Sequence, residues 1–125
     1  MFKLQRYFTT DVNMAAEGEE PQNIKLRFKR FTATDTIGYS HEISVLQDKL
    51  EEGDTSVVKD IYQLNIDLLC SQVVEVSNLL DEEGNEVGLP ENYEGKKELF
   101  DALGVDFIVK ACNQFSEGAK PSEGK

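Results

Sequence analysis

The side chains able to do chemistry are one histidine, His41, two cysteines, Cys70 and Cys112, and 24 carboxylates set against 13 lysines and arginines. A side-chain nucleophile needs a base within reach, and a structural zinc ion needs several Cys or His ligands at paired spacings. His41 stands alone beside Glu42, and neither cysteine has a second cysteine or a histidine near it. The carboxylates come as short runs, Glu51-Glu52 and Asp81-Glu82-Glu83, the kind that decorates turns and helix ends. The stretch DEEGNE lacks the alternating oxygen spacing of a helix-loop-helix calcium loop, and no glycine pattern suits a phosphate cradle. These residue types predict a protein that is not an enzyme, holds no metal or cofactor, and works by binding.

One charged stretch goes against the rest of the chain. NIKLRFKRF, residues 23 to 31, alternates Ile24, Leu26 and Phe28 with Lys25, Arg27 and Lys29, so a strand there turns one greasy face inward and one positive face outward. The simplest role of that positive face is to be solvated or balanced by nearby glutamates. Its second possible role is contact with an acidic partner through Lys25, Arg27 and Lys29.

The totals bound what must position these residues. At 125 residues the chain suits one domain with a real core. A net charge of −11 and a pI near 4.5 repel phosphate backbones and anionic membranes, so neither nucleic acid nor membrane is an expected partner. No apolar run reaches the roughly 18–20 residues that span a bilayer, and MFKLQRYFTT lacks the apolar block of a signal peptide. Buried free thiols suit a reducing cytoplasm.

Along the chain, FKLQRYF reads as a short strand able to pair with the 24–29 stretch, and residues 9–22 as a hairpin loop or mobile connection. HEISVLQDKL places Ile43, Leu46 and Leu50 at helical spacing behind Ser40 as N-cap, with Gly53 as the stop. Tyr62, Ile66, Leu69, Val73, Val76 and Leu80 then recur at spacings of 4, 3, 4, 3, 4. This seam predicts a helix over roughly 56–80, flanked by Ile61, Leu64 and Leu68. Such a helix is either the central core helix or one used for docking and self-association, in which case Tyr62, Ile66, Leu69, Val73 and Val76 make the contact. The β-branched run Val73-Val74-Glu75-Val76 weakens the helix at its end. After a turn at Gly84-Asn85, helices follow at Leu99, Phe100 and Leu103 and at Phe107, Ile108, Ala111, Cys112 and Phe115, broken near Gly104. The expected fold is α+β and predominantly helical, a short N-terminal β-hairpin or sheet packed on about three to four helices. Residues 1–118 form the domain and 119–125 a disordered tail.

The order of parts carries a resemblance. A basic-aromatic strand, a helix, "VVKDIYQLNIDLLCSQVVEV", the turn "DEEGNEVGLPENY", the close "KKELFDALGVDFIVKACNQF" and a Gly/Lys/Ser tail resemble the tail assembly chaperones of long-tailed bacteriophages and prophages. These are small acidic proteins encoded just before the tape measure protein. The resemblance covers roughly residues 24–118 and is one of pattern, with no catalytic or metal motif to transfer. It implies binding of the helical, aggregation-prone tape measure protein, recruitment of tail tube subunits, possible homo-oligomers, a place in the host bacterial cytoplasm and absence from the finished virion. It also implies a longer form made by frameshifting near the C-terminus. The alternative from a different class is an acidic nucleic-acid mimic that inhibits a host defence enzyme, which would need its carboxylates along one continuous face.

Overall fold

Strict alternation makes the strand at residues 22–29. In the computed structural model, which describes residues 3–15 and 18–119, β1 (Tyr7–Met14) and β2 (Gln22–Lys29) pair antiparallel from Tyr7↔Lys29 to Met14↔Gln22. Ile24, Leu26 and Phe28 are buried, while Lys25, Arg27 and Lys29 are exposed on the other face. On β1 the same period turns Phe8, Thr10, Val12 and Met14 toward the interior side, with Val12 opposite Ile24 and Phe8 opposite Phe28. Residues 9–14, expected in a hairpin loop or mobile connection, are therefore strand. Only Phe8, Val12 and Met14 are apolar along that face, and it is the pairing with β2 that holds the polar TTDVN stretch extended. Of the 9–22 region, residues 16–17 lie outside the described residues, as do Phe2 of the N-terminal stretch and residues 120–125 of the expected tail. Residue 119 ends the last helix.

The helix expected over 56–80 stops early. It is α2 (Val57–Gln72), and the chain passes directly into β3 (Val73–Ser77), which pairs antiparallel with the free side of β2 to give a sheet of order β1-β2-β3. Three valines in four residues favour extended backbone, and β2 offers an unpaired edge that returns hydrogen bonds. The helical spacing of Val73 and Val76 survives because the register shifts between Arg27 and Phe28. Leu26 faces Val76 and Phe28 faces Val73, so the extra residue at that bulge lets both valines point inward while Val74 and Glu75 stay exposed. Gln72, at the junction, donates its side-chain N–H to the Lys29 carbonyl at 2.8 Å.

The first helix, α1 (Ala33–Glu51), starts well before Ser40. Thr32 and Asp35 form a reciprocal capping box, with Asp35 N–H donating to Thr32 Oγ1 at 3.1 Å and Thr32 N–H to Asp35 Oδ2 at 3.0 Å. Gly38 is carried inside the helix, and Gly53 stands just past its end at φ 94°, as the stop signal requires. α3 (Tyr93–Leu103) is capped by Asn92, and Gly104 at φ 97° turns the chain into α4 (Val105–Ala119).

The protein is thus an α+β fold in which α2 and α4 pack on one face of a three-stranded sheet and α3 packs against those two helices. One cluster joins Val12, Ile24, Leu26, Phe28, Val73 and Val76 from the sheet to Ile66, Leu69, Phe100, Phe107, Ile108, Ala111 and Phe115 from the helices. No helix among the described residues is long and apolar enough to cross a membrane.

Candidate functional site

The apolar residues of α1 have too little to pack against. Its main neighbour is α2, and none of its 19 residues is buried. It is held by its capping box, by Tyr39, Ile43 and Leu46 lying half-buried along one stripe, and by a hydrogen bond from the Tyr39 hydroxyl to Asn65 Oδ1 at 3.2 Å. The Tyr39 ring also sits 5.6 Å from that of Phe31. Burial, with the Cys112 thiol adding to it, pushes the Tyr39 hydroxyl up to about 12.

Between α1 and α2 runs an open groove made of two adjoining depressions that share Glu42, Leu64 and Asp67. The first, about 430 Å³, has Val45, Leu46 and Leu64 as its floor and His41, Glu42, Asp60, Gln63 and Asp67 around it. The second, about 520 Å³, continues over Phe31, Tyr39 and Leu68 toward Asp35 and Tyr93. Val45 remains 40% exposed and Ile37, on the same helix, 71%. The floor of the first depression therefore keeps an apolar side chain open to solvent.

Among the described residues no lysine or arginine lines either depression, and Lys29 acts on the rim at Asp35. Asp67 is fixed there as an acceptor, taking hydrogen bonds from Gln63 Nε2 at 3.0 Å and from the Tyr93 hydroxyl. Its hydrogen bond raises the Tyr93 hydroxyl to about 12. Asp35 is held below the usual carboxylate range by the backbone and side-chain bonds of Thr32, so it stays charged.

The residues marked in the sequence for docking lie elsewhere. Ile66, Leu69, Val73 and Val76 are between 0% and 7% exposed and fill the protein's own core. Tyr62 is half-buried and ties α2 to α3 by donating to Asp101 Oδ1 at 2.7 Å. Of the flanking residues, Leu64 and Leu68 line the groove instead. What sequence reasoning missed is Val45, whose signal was available. The helix at 33–51 carries Ile37 and Val45 off the Tyr39, Ile43, Leu46, Leu50 stripe, an apolar excess that one neighbouring helix does not cover.

Lys25, Arg27 and Lys29 do come together, on the outer face of the middle strand. Lys25 Nζ is 3.6 Å from Asp11 Oδ1, and the Arg27 guanidinium lies 4.7 Å above the Tyr7 ring with Glu75 opposite it on β3. Two of the three cations are therefore engaged by neighbouring strands. A shallow depression of about 390 Å³ on this face is lined by Tyr7, Thr9, Lys25, Arg27, Glu75 and Ser77 among others.

Among the described residues no group of three or more metal-ligating side chains gathers. Cys70 and Cys112 are both free and buried, and burial raises the two thiols to about 11 and about 12. Such thiols are poor nucleophiles at neutral pH. Compared with protein-family models, with curated proteins and with solved structures, the chain matches none.

Proposed function

We propose that the protein is a binding protein without enzymatic activity, a chaperone of the tail assembly type that holds a helical segment of a tape measure protein. The observation that carries this reading is the open apolar groove along α1 and α2, floored by Val45, Leu46 and Leu64. Helix-in-groove recognition lays the apolar stripe of an amphipathic helix into such a channel, and an unassembled tape measure protein exposes stripes of that kind. The net charge of −11 supports the same reading, because a strongly charged exterior keeps a complex with a sticky client dispersed. In this scheme the outer face of the sheet, with Lys25, Arg27 and Lys29, is left for a second contact, such as a tail tube subunit. The work is done in the bacterial cytoplasm, before the virion is complete.

Coexpression tests this directly. The helical protein encoded beside this one should be insoluble alone and soluble as a complex with it. Val45→Asp, which changes a side chain already 40% in water, should leave the fold intact by circular dichroism and release the client. A client that stays insoluble, or one solubilised equally well by the folded V45D variant, would overturn the assignment.

A further inference from the structure

We infer that the groove selects a cationic amphipathic helix from a different protein, one carrying Lys or Arg on both flanks of its apolar stripe. This rests on the groove being the binding site, and it adds the charge of the occupant. Asp35, Glu42, Asp60 and Asp67 stand around the shared channel, which no lysine or arginine among the described residues lines. A neutral or acidic helix laid on this floor would strip water from these carboxylates and bring no countercharge, with Glu42 and Asp60 gaining no partner in exchange, which is costly. A helix with basic flanks places an ammonium or guanidinium against them at the edge of a low-dielectric contact, where attraction is stronger than in water.

The channel's dimensions fix the segment. On α1 it runs from Thr34 to Leu46, about 18 Å at 1.5 Å per residue, so it takes about three turns with apolar anchors at i, i+3 or i+4, and i+7. A second copy of this chain does not supply that segment. Its own uncovered helix, α1, carries Asp35, Glu42, Asp48 and Glu51 against one lysine, Lys49, and its concentrated cations sit on a strand. The same carboxylates repel nucleic acid and anionic lipid.

The test uses the full chain and three synthetic peptides of equal length and equal stapled helicity. They share one apolar face and carry Lys, Gln or Glu on its flanks. The Lys peptide should bind roughly 10-fold or more tighter than the Gln peptide, with the Glu peptide weakest. The preference should shrink as NaCl rises to about 0.5 M. Glu42→Gln together with Asp60→Asn should weaken the Lys peptide and leave the Gln peptide unchanged. Equal binding of all three peptides would overturn the charge selection and leave the groove standing. Binding of none would remove the groove reading and this inference with it. Lys-peptide binding that V45D does not diminish would place the contact elsewhere and overturn the inference as well.

Discussion

Gly118 shows how closely one residue can be prescribed by its neighbour. Glycine inside a helix costs about 1 kcal/mol relative to alanine, so Gly118→Ala in α4 would ordinarily stabilise. Here a Cβ would overlap the Phe8 ring. That ring cannot step aside easily, being stacked 5.3 Å from Phe28, 5.8 Å from Phe115 and 4.8 Å from the Arg30 guanidinium. Arg30 in turn donates from Nη1 to the Gly118 carbonyl at 2.7 Å, fastening the end of α4 to the sheet. G118A should therefore destabilise by about 1–2 kcal/mol, an overpacking cost that exceeds the helix-propensity gain, and urea unfolding of the variant would measure it. The thiols allow a second prediction at this scale. Cys112 rises from an ordinary 9.0 to about 12 through burial. Below pH 9 it is protonated in both folded and unfolded chains and stability does not vary with it. Above pH 9 the unfolded chain alone loses the proton, so stability falls as pH climbs toward about 12. Cys70, raised to about 11 by burial and by Asp67, acts in the same sense over a narrower window. Neither thiol should react with a thiol reagent at pH 8 until the protein is unfolded, and reaction in the native state would contradict the packing described.

At the level of elements, the four helices and three strands of the described residues differ in how tightly they are bound to the core, and α1 is the loosest. Local opening is easiest where few apolar contacts must break. With no buried residue in α1, its backbone amides should exchange hydrogen faster than those of α2 or β2. Thr32→Ala, which removes the capping box, should speed α1 exchange further at a cost of about 1 kcal/mol, while bound client should slow it. Exchange as slow in free α1 as in α2 would be incompatible with an uncovered groove. The same looseness explains what could be read from the sequence. α3, α4 and β2 were legible because a single period places their apolar residues on one face, as with Phe107, Ile108, Ala111, Cys112 and Phe115. β1 was expected too early, at FKLQRYF, because its polar TTDVN stretch has little alternation of its own, and β3 was not legible because its partner β2 is remote in sequence. Val73 and Val76 keep a helical spacing only by virtue of a bulge opposite Arg27 and Phe28, and a bulge leaves no mark on local periodicity. The seam residues looked like a binding stripe because a core stripe and a docking stripe have the same pattern. Which one is filled from within is decided by the sheet that covers it.

For the molecule as a whole, the carboxylate surplus acts in opposite directions on folding and on binding. The ion pairs of Lys25 with Asp11 and of Lys110 with Asp106 join side chains 46–71% exposed and contribute little each. A net charge of −11 on so small a domain therefore opposes compaction through self-repulsion. Salt shortens the reach of that repulsion to about 10 Å at 0.1 M, so raising NaCl from low concentration to about 0.2 M should raise the Tm of the free protein by a few degrees, about the shift that 1 kcal/mol gives a domain of this size. The proposed complex with a cationic helix would gain from the same charges at Glu42, Asp60 and Asp67, and there the screening would remove attraction. Thermal melts along a salt series should thus show the free protein gaining stability while the additional stabilisation given by bound helix shrinks, the two curves converging. If both rose in parallel, the groove carboxylates would have no part in binding. A Tm of the free protein that fell with salt would mean that its carboxylates are held in favourable pairs, leaving little unpaired negative charge to attract a basic helix.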